Sequence, residues 1–156
     1  MFADTQIAYL AGFFDGEGCI RLIREPKHGR QRVRYGLIIS ASQLTEKQWP
    51  LLLLRKTFGG TIHPKSVSGS RRPMLEWTAY GKTAASALAL MFPYLTVKRE
   101  RATWGMLFRA WKLEQVPNRT KNLIGAEEQA ASTGFYKVVR YLNQRGCSTT
   151  TADQIN

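Results

Sequence analysis

The hydrophobic and polar positions of this chain switch between two periods, and each switch marks an element. Residues 4–14 read as a helix that Asp4 or Thr5 caps at its start. It ends at Asp15-Gly16-Glu17-Gly18, where two glycines permit a sharp exit. Residues 19–25 alternate as a strand, residues 26–31 form a polar hairpin loop, and residues 32–44, rich in Val, Tyr, Leu and Ile, form a long second strand. The alternation is imperfect around Ile23 and Arg24 and around Tyr35, Leu37 and Ile39. It leaves open which side of the sheet each residue takes.

A second helix opens at Thr45, with Gln48 completing a capping box, although Pro50 sits late for a first turn. Gly59-Gly60 closes it. Residues 61–66 form a third strand, 68–73 a loop and 74–80 a fourth strand. A third helix covers 82–92 and stops at Pro93; a fourth covers 98–115 and ends before Pro117. The order α-β-β-α-β-β-α-α predicts an α+β arrangement: two hairpins in one antiparallel sheet, with helices on one face. Residues 116–122 read as a polar linker, 125–145 as helix broken near Ser132-Thr133-Gly134, and the last ten residues as a frayed end. The expected division is a core at 1–115 and a helical extension with a frayed tail at 116–156.

Charge narrows the picture. Lys and Arg number 23 against 11 Asp and Glu, a net +12 over 156 residues, which points to a polyanionic partner and above all to nucleic acid. No stretch approaches the roughly 20 apolar residues of a membrane helix, and the N-terminus lacks the pattern of a secretory signal. Cys19 and Cys147 are far apart and, with the isolated His28 and His63, make neither a disulfide framework nor a zinc site. A reducing intracellular compartment is expected, either cytoplasm or an organelle with its own genome.

Ala8, Gly12 and Gly16 recur every four residues and put a stripe of small side chains on one helix face. Gly12 at mid-helix costs about 1 kcal/mol relative to Ala, so something should compensate. Either the helix packs tightly on its own sheet, or two such helices approach each other closely.

The string Tyr9-Leu10-Ala11-Gly12-Phe13-Phe14-Asp15-Gly16-Glu17-Gly18 resembles the LAGLIDADG motif: Leu-Ala-Gly, two apolar residues, Asp, a small residue, an acid and Gly. The resemblance runs over roughly residues 5–110. It takes in the element order, the Gly59-Gly60 turn, and Phe92-Pro93-Tyr94-Leu95 leading to Lys98. It implies the αββαββα LAGLIDADG homing-endonuclease fold, with the antiparallel sheet as a DNA-binding saddle and further helices at the C-terminus. One motif is present and no second copy occurs in residues 82–156. The resemblance therefore implies a homodimer joined through the face that carries Ala8 and Gly12, and a roughly palindromic DNA site to match its twofold symmetry.

The implied activity is hydrolysis of both DNA strands with Mg²⁺; Mn²⁺ is expected to substitute, and Ca²⁺ to bind without supporting cleavage. Each helix C-terminus carries roughly half a negative charge, and two such ends side by side favour a hard cation. Glu17 stands at the family's metal-binding position, the Gly16 carbonyl is a further candidate ligand, and Asp15 is a third that is often structural instead. Lys98 and then Glu46 are the other catalytic candidates. Gln43 lies close enough to Glu46 that a small shift in alignment exchanges their roles.

A sheet laid in the major groove meets the full donor and acceptor code of the bases. The candidate DNA contacts are Arg21, Lys27, Arg30, Arg32, Arg34, Gln43, His63, Lys65, Arg71 and Arg72. Lys137, Arg140 and Arg145 add charge on the last helix, which either clasps DNA backbone or packs through Phe135, Val138, Val139 and Leu142. Two other functions suit the same scaffold: an intron maturase that binds RNA, and a cleavage-inactive DNA-binding regulator. Retention of Glu17 and Lys98 argues against the second. Such enzymes are encoded in introns, in inteins or as free-standing genes, and the lack of flanking splicing-domain sequence disfavours an intein.

Overall fold

The computed structural model describes residues 3–26, 33–66, 72–115 and 125–145. In chain order these form α1 (Asp4–Glu17), β1 (Gly18–Pro26), β2 (Val33–Leu44), α2 (Trp49–Phe58), β3 (Thr61–Lys65), β4 (Met74–Tyr80), α3 (Gly81–Met91), α4 (Arg99–Gln115) and α5 (Ala126–Arg145). The expected linker at 116–122 and the tail beyond 145 lie outside the described residues, as do Lys27, Arg30, Arg32 and Arg71.

The four strands make one antiparallel sheet in the order β1-β2-β4-β3. Register settles the parity that the sequence leaves open. Ile20 pairs with Ile39, Leu22 with Leu37, Ala41 with Trp77, and Ile39 with Ala79. Paired residues share a face, and all of these are buried in one core with the helices. The α1 contribution is Leu10, Ala11 and Phe14, on one side of the helix; α3 adds Ala84, Ala87 and Leu88, and α4 adds Ala102 and Phe108. The alternate strand residues, among them Arg21, Ile38, Ser40, Thr61, His63, Lys65, Glu76 and Tyr80, lie outside this core.

Four sequence expectations change. The helix α1 has no side-chain cap: Ala3 is its N-cap, and Asp4 falls in the first turn, where a negative charge suits the helix dipole. It also continues to Glu17 instead of ending at Phe14. Thr45–Lys47 is a short 3₁₀ turn, and α2 starts at Trp49 without a capping box. This places Pro50 in the first helical turn, where a missing N–H costs nothing. Finally, α5 is unbroken through Ser132-Thr133-Gly134. Thr133 Oγ1 donates to the Gln129 carbonyl at 2.8 Å, so the hydroxyl is satisfied inside the helix. Packing of Phe135 against Trp104, Phe108 and Trp111, with Val139 in the common core, outweighs the local preference for a break.

The turn after α2 needs its glycines. Gly59 and Gly60 have φ of 81° and 87°, and a Cβ on Gly60 would lie 2.5 Å from the Thr78 carbonyl oxygen. Trp77 Nε1 donates to the Gly59 carbonyl at 2.8 Å and locks that turn to β4. At the other side of the sheet α5 covers the edge strand. Asn143 Nδ2 donates to the Ile20 carbonyl at 2.8 Å, and the Val33 amide donates to Gln129 Oε1 at 3.1 Å. No helix among the described residues is long and apolar enough to cross a membrane.

Candidate active site and nucleic-acid face

The C-terminal turn of α1 holds Asp15, Gly16 and Glu17, and β1 follows at once. The exit is extended, not left-handed: Gly18 has φ −81° and ψ 159°. Glycine is needed there for space, because a Cβ on Gly18 would overlap the carbonyl oxygen and ring of Phe14. The sequence expectation of a glycine-driven sharp turn is thus replaced by a close approach.

The two acids of the motif have different fates. Asp15 turns towards the start of α4. Its Oδ2 accepts from the Thr96 amide at 2.7 Å, the Thr96 hydroxyl at 2.8 Å and the Val97 amide at 3.2 Å, while its Oδ1 accepts from the Lys98 amide at 2.9 Å. Partial burial raises its pKa, but these hydrogen bonds outweigh the burial and hold the carboxyl below the ordinary aspartate value. With both oxygens engaged, Asp15 caps the start of α4 and ties α1 to it, the structural role that the resemblance also allows for this position. Glu17, two residues on, is exposed.

Lys98 is buried, at 6% exposure, behind this helix end. Its Nζ donates to the Asp15 carbonyl. Burial holds its pKa below the ordinary lysine value; Arg101 adds to the depression, and Asp15, Cys19 and Glu17 oppose it. Lys98 and Glu17 are therefore within electrostatic reach of each other. A buried lysine of lowered pKa beside an exposed glutamate is a pair suited to proton transfer and charge stabilisation.

Among the described residues no group of three or more His, Cys, Asp or Glu converges on a metal-sized site. One free carboxylate at a helix C-terminus still fits Mg²⁺, which keeps several waters and is bound through one or two carboxylates plus substrate phosphates. Glu17 and the Gly16 carbonyl are the donors this chain offers.

Glu46 is exposed on the 3₁₀ turn, with its Oε1 3.8 Å from Arg72 Nη1. Gln43 is closer to the helix end: it sits two residues beyond Ala41, which pairs with Gly18, and on the same face. Its partner across the sheet is Leu75, which packs on the core, and its Oε1 accepts from the Leu44 amide at 2.9 Å. Gln43 thus lies on the helix side of the sheet, which decides the parity that the sequence left open.

The small-residue stripe is open. Gly12 and Gly16 are exposed, and a Cβ built on either meets nothing within 4 Å. Ala8 is half-buried and Tyr9 is 49% exposed beside them. Of the two explanations for the stripe, packing on the chain's own sheet is excluded, since the buried residues of α1 lie on its other side.

The open face of the sheet gathers Arg21, Arg34, His63 and Lys65, with Arg72 exposed just before β4. It also holds residues the sequence did not single out: Ser40, Ser42, Glu76, Thr78 and Tyr80. Glu76 is central. Its Oε1 accepts from Lys65 Nζ at 2.9 Å and from Ser42 Oγ at 3.2 Å, its Oε2 lies 3.4 Å from His63 Nε2, and Lys65 Nζ also donates to Ser42 Oγ at 2.7 Å. Partial burial raises the Glu76 pKa, but Lys65, Ser42 and the charge of Arg21 bring it below the ordinary glutamate value. The alternation of Met74 to Tyr80 was the available signal for Glu76 and Thr78; the meeting of Glu76 with Lys65 needs the register. Lys137 and Arg140 are exposed on α5. With Arg24 they line a cavity of about 470 Å³ on the helix side of β1, away from the open face.

No protein-family model and no curated protein matches the chain. Solved structures do. The homing endonuclease I-CvuI, in complex with its target in the presence of calcium, is 22% identical over 97% of this chain and 87% of its own, with a TM-score of 0.73. The archaeal intron-encoded homing endonuclease I-Vdi141I, complexed with DNA, is 12% identical over 98% of this chain and 90% of its own, with a TM-score of 0.70. The LAGLIDADG homing endonuclease I-SmaMI, bound to cleaved DNA, is 16% identical over 83% of this chain but only 42% of its own, with a TM-score of 0.65. The chain has the LAGLIDADG homing-endonuclease fold.

Proposed function

We propose that this chain, built on the LAGLIDADG homing-endonuclease fold, is a site-specific DNA endonuclease. It acts as a homodimer that hydrolyses both strands of a long, roughly palindromic duplex with a divalent metal, Mg²⁺ in the first place. The observation that carries the reading is the exposed Glu17 at the end of a helix whose small-residue face is open, with Lys98 buried beside it.

Each part of the reading has a physical ground. The open stripe at Ala8, Gly12 and Gly16 lets a second α1 approach at backbone distance, which brings two copies of Glu17 together. The match to I-SmaMI over less than half of that chain agrees with a unit that forms one half of a working enzyme. The open sheet face carries the basic and polar side chains that base edges and phosphates require.

Glu17 and the Gly16 carbonyl would hold a divalent cation, which would supply charge neutralisation at the phosphate and lower the pKa of water. The chain's own residues do the rest. Asp15 fixes the helix end against α4, so that Glu17 keeps its position. Lys98, anchored to the Asp15 carbonyl, is placed to take a proton or to stabilise charge building on the phosphate oxygens. The sheet holds the duplex in register.

The test is selection from a randomised duplex library, first with Ca²⁺ for binding and then with Mg²⁺ or Mn²⁺ for cutting. The expected result is enrichment of one roughly palindromic sequence and double-strand cleavage of it in Mg²⁺. Binding without cutting in every metal would leave a DNA-binding regulator, and preference for RNA would leave a maturase.

A further inference from the structure

The open face is basic overall, yet the Glu76 carboxylate stands among its basic groups and engages two of the side chains expected to meet DNA. Resting on the reading of this face as the one that meets the duplex, we propose that Glu76 is a positioning residue. Together with Ser42 it turns Lys65 and His63 from phosphate contacts into readers of one base pair, with guanine as the preferred base, in each half-site.

A lysine free on a DNA-facing surface moves to phosphate, where it displaces counterions. Lys65 is not free in this sense. Its ammonium has three N–H donors, and two of them are committed, to Ser42 Oγ at 2.7 Å and to Glu76 Oε1 at 2.9 Å. One donor remains. The Glu76 carboxylate balances the lysine charge, so the pull towards phosphate is weakened. Exposure orders the groups by depth: the Glu76 side chain is 15% exposed, while those of Lys65 and His63 are 37% and 46% exposed. The carboxylate is thus the base of the arrangement, and the lysine and imidazole are its outer surface.

His63 and Lys65 are two apart on β3 and share its open side. A fixed donor with its charge compensated seeks an acceptor on a base edge, and guanine O6 and N7 form the strongest acceptor pair in the major groove. Arg21, whose charge acts on Glu76, stands on the same face and can hold the neighbouring backbone.

The experiment measures base preference at every position of the selected site, together with affinity for random duplex over a range of salt. It compares wild type, Glu76→Gln and Lys65→Met. Glu76→Gln is expected to keep DNA binding and to lose discrimination at one base pair per half-site, by roughly 5- to 150-fold, the worth of one good base contact. Random DNA is expected to bind this variant more tightly at low salt, with a slope of log affinity against log salt steeper by up to about 0.9 per released lysine. Lys65→Met is expected to erase the same base preference and no other. A purely structural role for Glu76 would change thermal stability without moving either readout.

The inference is overturned if Glu76→Gln keeps the wild-type preference at every position, or if the two variants alter different base pairs. Wild-type protein that selects no sequence at all overturns the DNA reading beneath it, an outcome distinct from the other two.

Discussion

The end of α1 and the open face of the sheet are both crowded with ionisable groups, yet they are wired in opposite ways. At the helix end the backbone does the holding. Amides of Thr96, Val97 and Lys98 fix Asp15, and Lys98 is anchored on a carbonyl, so that Glu17 is left outward and exposed. On the sheet the side chains hold one another, through Glu76, Lys65, Ser42 and His63. The first arrangement suits chemistry that must be the same at every site. The second suits recognition, where exchange of one side chain changes the partner without disturbing the frame.

Several measurements can break or sharpen this contrast. The largest effect is expected from Gly12→Leu. A Cβ built there meets nothing within the chain, and leucine is the better helix former by about 0.5–1 kcal/mol, so the single chain should still fold. Cleavage should nevertheless disappear, and sedimentation should show one copy where wild type shows two. A variant that stays dimeric and active would detach the stripe from the assembly.

Lys98→Met should lower the cleavage rate by roughly 10²–10³-fold, the scale of one lost electrostatic stabiliser, with DNA affinity little changed. Arginine at this position sharpens the result. It remains charged at any working pH, so recovery by Lys98→Arg would assign a charge role, and no recovery would assign proton transfer.

The smallest effect is on stability. Asp15→Asn should cost about 1 kcal/mol as a weakened cap. Because the folded Asp15 carboxyl titrates below its unfolded value, its contribution is complete at neutral pH and is lost as pH falls through the folded value. The gap between wild type and Asp15→Asn in melting temperature should therefore close in acid. A gap that widened in acid would contradict the cap.

This contrast also explains what could be read from the chain. The element order and the small-residue stripe depend on local pattern, and the fold has that order and leaves that stripe exposed; the placing of Lys98 beside Glu17 came from the resemblance to the LAGLIDADG family, not from pattern. The hold of Asp15 on residues 96–98 was not legible, because those partners are distant in sequence. The side taken by Gln43 stayed open because strand parity is fixed only by pairing: one face and its opposite differ by a single residue of register. Glu76 escaped for the same reason. The start of α2 and the unbroken α5 were decided by Pro50 and by aromatic packing respectively, and tertiary packing of that kind overrides local propensity.

The most direct measurement compares wild type with Glu17→Gln on one selected duplex, following binding and strand scission together as Mg²⁺ is added and then chelated. The account predicts equal affinity for the two proteins, metal-dependent scission of both strands by wild type, and at least a roughly 10²–10³-fold loss of scission in Glu17→Gln. Cutting by Glu17→Gln at the wild-type rate, or scission by wild type that survives chelation, would contradict it.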